Sequence, residues 1–142
     1  MMGDTWAGYA RGYTFRNIMT NTLNRIKDHL SEILDVDREM ITPETYLIRD
    51  LQVESIDFLE LAVALSAAFH IEVEDDEIFL LDLRLHLESA REGVQEKISL
   101  LDEKYPFLGR DRIEEILADL DQGPILKVKD LVGYVDYQCR AR

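Results

Sequence analysis

Apolar residues recur at helical spacing along most of the chain. Leu23, Ile26, Leu30, Ile33 and Leu34 step by threes and fours from Asn21 onward, which predicts a helix ending near "DVDREM". Pro43 cannot continue it, so "ITPETYLIRDLQVE" reads as a long ordered loop anchored by Ile41, Leu47 and Leu51. A second helix is predicted after Ser55. At about 100° per residue, Phe58, Leu61, Ala62, Leu65, Ala68 and Phe69 share one sector and form its core stripe. Ile56, Leu59 and Val63 gather on nearly the opposite side, beside Asp57, Glu60 and Ala67. One apolar stripe suffices for a helix in a small bundle, so the second needs a cover: a partner, or the later part of the chain.

Beyond Glu77 the period is mixed. "LLDLRLHLES" alternates leucines with polar residues like a strand, but its composition favours helix, so helix or extended loop is expected. Val94, Ile98, Leu101 and Tyr105 form a helix face stopped by Pro106. Asp111–Glu114 has the form of a capping box, opening a helix with Ile113, Ile116, Leu117 and Leu120 on one side, closed by Gly123 and Pro124. These faces are too apolar for a disordered tail and predict at least two helices packed on the bundle. Val128, Leu131, Val132 and Val135 predict a closing helix. Residues 1–20, with Trp6, Tyr9, Tyr13 and Phe15, show no clear period and are read as an N-terminal extension to a single domain of 21–142. The fold class expected is all-α.

Charge sharpens this picture. The chain has 142 residues, 46% hydrophobic, with 29 acids against 16 bases for a formal net of -13. Eleven acids and one base fall within residues 50–90, so most of the imbalance surrounds the second helix. Such a field repels nucleic acid and anionic membranes and attracts basic partners. No apolar run reaches the length of a membrane span, the start lacks a signal-peptide pattern, and a single Cys provides no disulfide framework. A cytoplasmic, monomeric protein is expected.

Catalytic patterns are weak. Asp57 and Glu60 on an exposed face lack the desolvation that tunes an acid–base pair. "EVEDDE" lacks the turn glycine and ligand alternation of a calcium loop. His29, His70 and His86 have no companion nucleophile, and no glycine-rich phosphate loop occurs. No metal site and no enzyme activity are expected.

Ser55 remains, a short serine between Glu54 and Asp57 at a helix start. Alone it reads as a cap. Its surroundings, "DLQVESIDFLELAVALSAAFHIEVEDDE", resemble without a gap the modification helix of acyl carrier proteins, through Asp50, Leu51, Ser55, Ile56, Asp57, Glu60, Leu61 and Phe69. The resemblance extends back through "ITPETYLIRDL" to the first helix and forward to "VKDLVGYV", covering 22–77 and 124–137. Gln52 stands where that family usually has Gly, Glu54 replaces the common Asp, and Lys127 takes the place of a Ser or Thr cap. Residues 78–123 form an insertion relative to the family's short third-helix region.

The resemblance implies an acyl-carrier-like four-helix bundle with an inserted helical region. It implies a 4'-phosphopantetheine arm on Ser55, attached by a phosphopantetheinyl transferase and carrying acyl intermediates as thioesters in fatty acid, polyketide or specialised lipid biosynthesis. Glu54, Ile56, Asp57, Leu59, Glu60 and Val63 would then dock acyl-processing enzymes with basic surfaces. A peptidyl carrier, or an unmodified acidic helical adaptor, stays open beside this reading.

Overall fold

The computed structural model describes residues 21–90 and 92–141, and the aromatic N-terminal extension lies outside them. Among the described residues the chain is helical without strands. Helix α1 covers 21–34, followed by a 3-10 turn at Arg38–Met40, α2 at Ser55–Phe69 and α3 at Asp75–Ile78. Then come α4 (Leu83–Glu88), α5 (Val94–Lys104), α6 (Arg110–Asp119), a 3-10 turn at Leu120–Gln122, and α7 (Val128–Ala141). This is the expected acyl-carrier-like bundle with additional helices.

The core stripes of the sequence meet in one interior. Ile26 and Leu30 of α1, Leu61 and Leu65 of α2, and Leu131 and Val135 of α7 are buried together with Ile41 and Leu47 of the first loop. Polar ties fix the arrangement of α1. The Thr22 hydroxyl donates to Asp136 of α7 at 2.8 Å. Arg25 donates to the Ala68 carbonyl at 2.6 Å and lies over the Phe69 ring at 4.2 Å, placing a cation at the C-terminal end of α2, where the helix dipole favours it. Burial pushes the Asp136 carboxyl above its ordinary value, although Thr22 and Arg140 oppose this.

The inserted helices pack onto the bundle. Helix α5 lies against α4 and α6, burying Ile98 and Leu101, while α6 buries Ile113 and Ile116. Phe107 joins them to α7, edge-on to Tyr134 at 5.1 Å and to Tyr105 at 6.1 Å. Gly133 makes the approach possible, because a Cβ there would come within 3.0 Å of the Phe107 carbonyl oxygen. Asp119, at the end of α6, accepts from the Tyr46 hydroxyl at 2.6 Å and from Arg49 at 3.1 Å. Tyr46, and then Arg49, hold its carboxyl below the usual range, partly offset by burial.

Two local expectations are corrected. Helix α6 starts at Arg110 with Gly109, at φ 81, as its cap, so Asp111 lies in the first turn and does not cap. A glycine preceding the helix takes this backbone conformation without steric cost. Val94 is 68% exposed, because α5 turns toward the core only from Ile98 onward. The helix expected among the alternating leucines of 81–87 does form, as α4 from Leu83 to Glu88. Leu80, at φ 54, breaks the chain after α3, and α4 then buries Leu83 while Leu81 and Leu85 stay exposed.

Candidate functional site

The loop before α2 is tightly closed on itself. Asp50 accepts from the Tyr46 N–H at 2.8 Å, while the Tyr46 carbonyl accepts from the N–H groups of Asp50 and Leu51. Gln52 turns through the left-handed region at φ 56, and the Val53 N–H then donates to Leu47 O at 3.1 Å. Leu47 in turn donates to Leu126 O, tying the loop to the segment that leads into α7. The backbone of Glu54 is extended, and its N–H donates to the Asp57 carboxylate at 2.9 Å, the return bond of a capping box.

Ser55 is consequently the first helical residue, and it is exposed. The cap role falls to Glu54, leaving Ser55 at the positive end of a 15-residue helix dipole. The two stripes of α2 separate as expected. Leu61, Ala62, Leu65 and Phe69 are buried and Phe58 and Ala68 half-buried, whereas Ile56, Leu59 and Val63 are 60%, 56% and 70% exposed. The inserted helices leave the second stripe uncovered. Glu54 and Glu60 are exposed on α2, and Asp57 is half-buried and engaged with the Glu54 backbone. Glu72, Glu74, Asp76 and Glu77 are exposed beyond its C-terminal end and extend the acidic surface.

Shallow grooves run along both flanks of the stripe. Ile33 of α1 lines one with Leu59 and Val63, and Val73 lines the other with Ala67 and Val63. Among the described residues no group of three His, Cys, Asp or Glu side chains is placed to hold a metal ion, and no helix is long and apolar enough to cross a membrane. The ion pairs that lock the inserted helices, Arg49 with Asp119 and Arg112 with Asp130, carry no sequence motif. Their partners are distant in the chain, so local spacing does not reveal them.

Residues 24–82 match the family model described as the phosphopantetheine attachment site. The chain is 38% identical over 55 residues to acyl carrier protein AcpXL of Brucella melitensis biotype 1, covering 39% of this chain and 59% of that protein. Against the acyl carrier protein of Syntrophobacter fumaroxidans it is 42% identical over 53 residues, covering 37% and 65%. With the acyl carrier protein of Lactobacillus johnsonii the values are 41% over 54 residues, 38% and 68%. The chain belongs to the acyl carrier protein family. It spans about three-fifths of the length of the AcpXL relatives it matches.

Proposed function

We propose that this protein is an acyl carrier whose 4'-phosphopantetheine is attached at Ser55. The observation that carries the reading is an exposed serine at the first position of α2, inside the matched region 24–82. In the modification, the Ser55 Oγ forms a phosphodiester with the phosphopantetheinyl group of coenzyme A, adenosine 3',5'-bisphosphate leaves, and the hydroxyl proton is lost. A phosphopantetheinyl transferase supplies the catalysis.

The residues present fit the group. Nothing buries Ser55, and backbone N–H groups at a helix start favour a phosphodiester anion. When attached, the group supplies a flexible arm ending in a thiol that holds an acyl chain as a thioester. This chain needs no catalytic residues of its own for that task. Its work is presentation: Ile56, Leu59 and Val63 form an apolar docking centre, and Glu54, Asp57 and Glu60 supply its acidic rim for enzymes with basic surfaces. The setting proposed is fatty acid, polyketide or specialised lipid biosynthesis in the cytoplasm. The carrier domain is 21–142, monomeric, with 78–123 as its insertion.

Coexpression with a broad-specificity phosphopantetheinyl transferase, followed by intact-mass measurement, tests the assignment. Wild type is expected to gain the mass of the arm and Ser55→Ala none. An unmodified wild-type chain would leave the acidic adaptor reading in its place.

A further inference from the structure

A cleft of about 480 Å³ opens between the start of α1, the first turns of α6 and the first half of α7, and neither Ser55 nor the outer stripe of α2 lines it. We propose that it is the seat of the chain's own N-terminal extension, residues 1–20, held by the rings of Tyr13 and Phe15 and by an ion pair of Arg16 with Asp111. The proposal is independent of the chemistry at Ser55.

The position of the cleft selects the occupant. Leu23 lines it, and the neighbouring Thr22 donates to Asp136, which lines it as well, so the chain enters α1 at the edge of the cleft. Phe15 precedes Asn21 by six residues and Tyr13 by eight. An extended chain covers about 20–28 Å over those separations, so both rings are within reach. A separate partner would lose translational and rotational freedom on binding, whereas a segment tethered this closely meets the cleft at an effective concentration of about millimolar.

Its chemistry matches that segment. Leu23, Phe107, Leu108 and Val132 are half-buried and supply apolar walls, and Gly133 adds no side chain to fill the space between them. Aromatic rings are rigid apolar bodies suited to such walls. Four acids, Asp111, Glu115, Asp130 and Asp136, line the cleft against two bases, Arg112 and Lys129. The bases are already taken: Arg112 pairs with Asp130 and Glu115, and Lys129 with Glu44 and Glu115. Asp136 accepts from Thr22. Asp111, exposed in the first turn of α6, has no ion-pair partner among the described residues, so it is the carboxylate left for a cation. Residues 1–20 bring Arg11 and Arg16 against Asp4 alone, a basic excess in a chain whose net charge is -13. A basic, aromatic segment is thus attached at the edge of an acidic, apolar cleft. Seated there it bridges α1, α6 and α7, and fastens the inserted helices to the bundle.

Nuclear Overhauser contacts in the full-length protein test the seat directly. Contacts from the Tyr13 and Phe15 rings to the methyl groups of Leu23, Leu108 and Val132 are expected, and a mixture of isotope-labelled and unlabelled chains is expected to show none between copies. Contacts found only between copies would make the occupant a second chain, and absence of both would leave the cleft to another molecule; either result overturns the proposal. Amide exchange gives a second measurement. Tyr13→Ser with Phe15→Ser is expected to speed exchange at 107–113 by at least about tenfold, since two buried rings are lost. Unchanged rates there would overturn the seat. Asp111→Lys, on an exposed residue, is expected to speed exchange in part, and adding Arg16→Glu to restore wild-type rates. A double variant as fast as Asp111→Lys alone would overturn the ion pair. The contacts in the wild-type chain decide the matter even if a variant fails to fold.

Discussion

Arg112 and Asp130 form a doubly hydrogen-bonded ion pair, Nε to Oδ1 at 2.7 Å and Nη2 to Oδ2 at 2.8 Å, between side chains 7% and 1% exposed. The pair joins α6, in the inserted segment, to the first turn of α7. Arg112 also donates to the Ile125 carbonyl at 2.7 Å, and Asp130 accepts from the Lys127 N–H at 2.9 Å. Buried charges are tolerated because their hydrogen-bonding groups are met by partners.

Removing one partner strands the other charge. Arg112→Met is therefore expected to lower stability by about 3–5 kcal/mol in urea unfolding. Arg112→Met with Asp130→Leu is expected to cost well under the sum of the two single changes, because no unpaired charge remains. Strict additivity would mean that the pair is not coupled.

Gln52 has a left-handed backbone, φ 56, while its N–H donates to Ile48 O at 3.0 Å. A side chain there crowds its own backbone, which accounts physically for the glycine usual at this place in the resembled family. Gln52→Gly is expected to raise stability by about 0.5–1 kcal/mol, and Gln52→Val to lower it by about 1–2 kcal/mol, since a β-branched residue fits this region worst. The midpoint of urea denaturation measures both. A glycine variant less stable than wild type would show that the added freedom of the unfolded chain outweighs the relieved strain.

Both stripes of α2 were legible because periodicity is a local property: Leu61 and Leu65 point inward and Val63 outward for reasons contained within one helix. The identity of the capping residue at α6 was not, because Asp111 and Gly109 both suit a helix start and only the backbone path after Pro106 selects between them. Arg112 reads as a surface residue of a charged helix until the fold brings Asp130 beside it, 18 residues along the chain. The helical composition of 81–87 outweighed its strand-like period, as α4 shows, whereas the turn at Leu80 that leaves Leu83 buried between exposed Leu81 and Leu85 had no local signal. At the candidate site, the position of Ser55 on α2 follows from its sequence, whereas the freedom of Ile56, Leu59 and Val63 from the inserted helices depends on tertiary packing.

Tyr105 supplies a pH dependence with a definite sign. Burial first, and then the nearby charges of Asp82, Asp76 and Glu77, push its phenol up to about 12. For an acid with a raised folded value, the fold favours the neutral form, so stability is unaffected below about pH 10 and falls as pH rises from there toward 12. The loss across this window is on the order of 2–3 kcal/mol, at about 1.4 kcal/mol per unit. Tyr105→Phe is expected to flatten the alkaline limb of stability against pH by that amount relative to wild type. Parallel curves for the two proteins would remove Tyr105 as the cause.

The proposed docking face makes different demands on its rim and its centre. Glu60 is exposed among acids that outnumber bases across the surrounding segment, so its charge acts mainly on the rate of encounter with a basic enzyme. Glu60→Lys is expected to slow modification of Ser55 several-fold at low salt and much less at high salt, because a Debye length of about 10 Å at 0.1 M already screens the rim. Val63 is 70% exposed, and its apolar contact is expected to act mainly on dissociation. Val63→Ser should weaken modification at every salt concentration and leave the urea midpoint within about 0.5 kcal/mol of wild type, as for a surface change. Rates of arm transfer, followed by intact mass across a salt series, separate the two effects. Loss of folding in Val63→Ser would show that the residue supports the core, and salt-independent slowing in Glu60→Lys would remove steering as the role of the acidic rim.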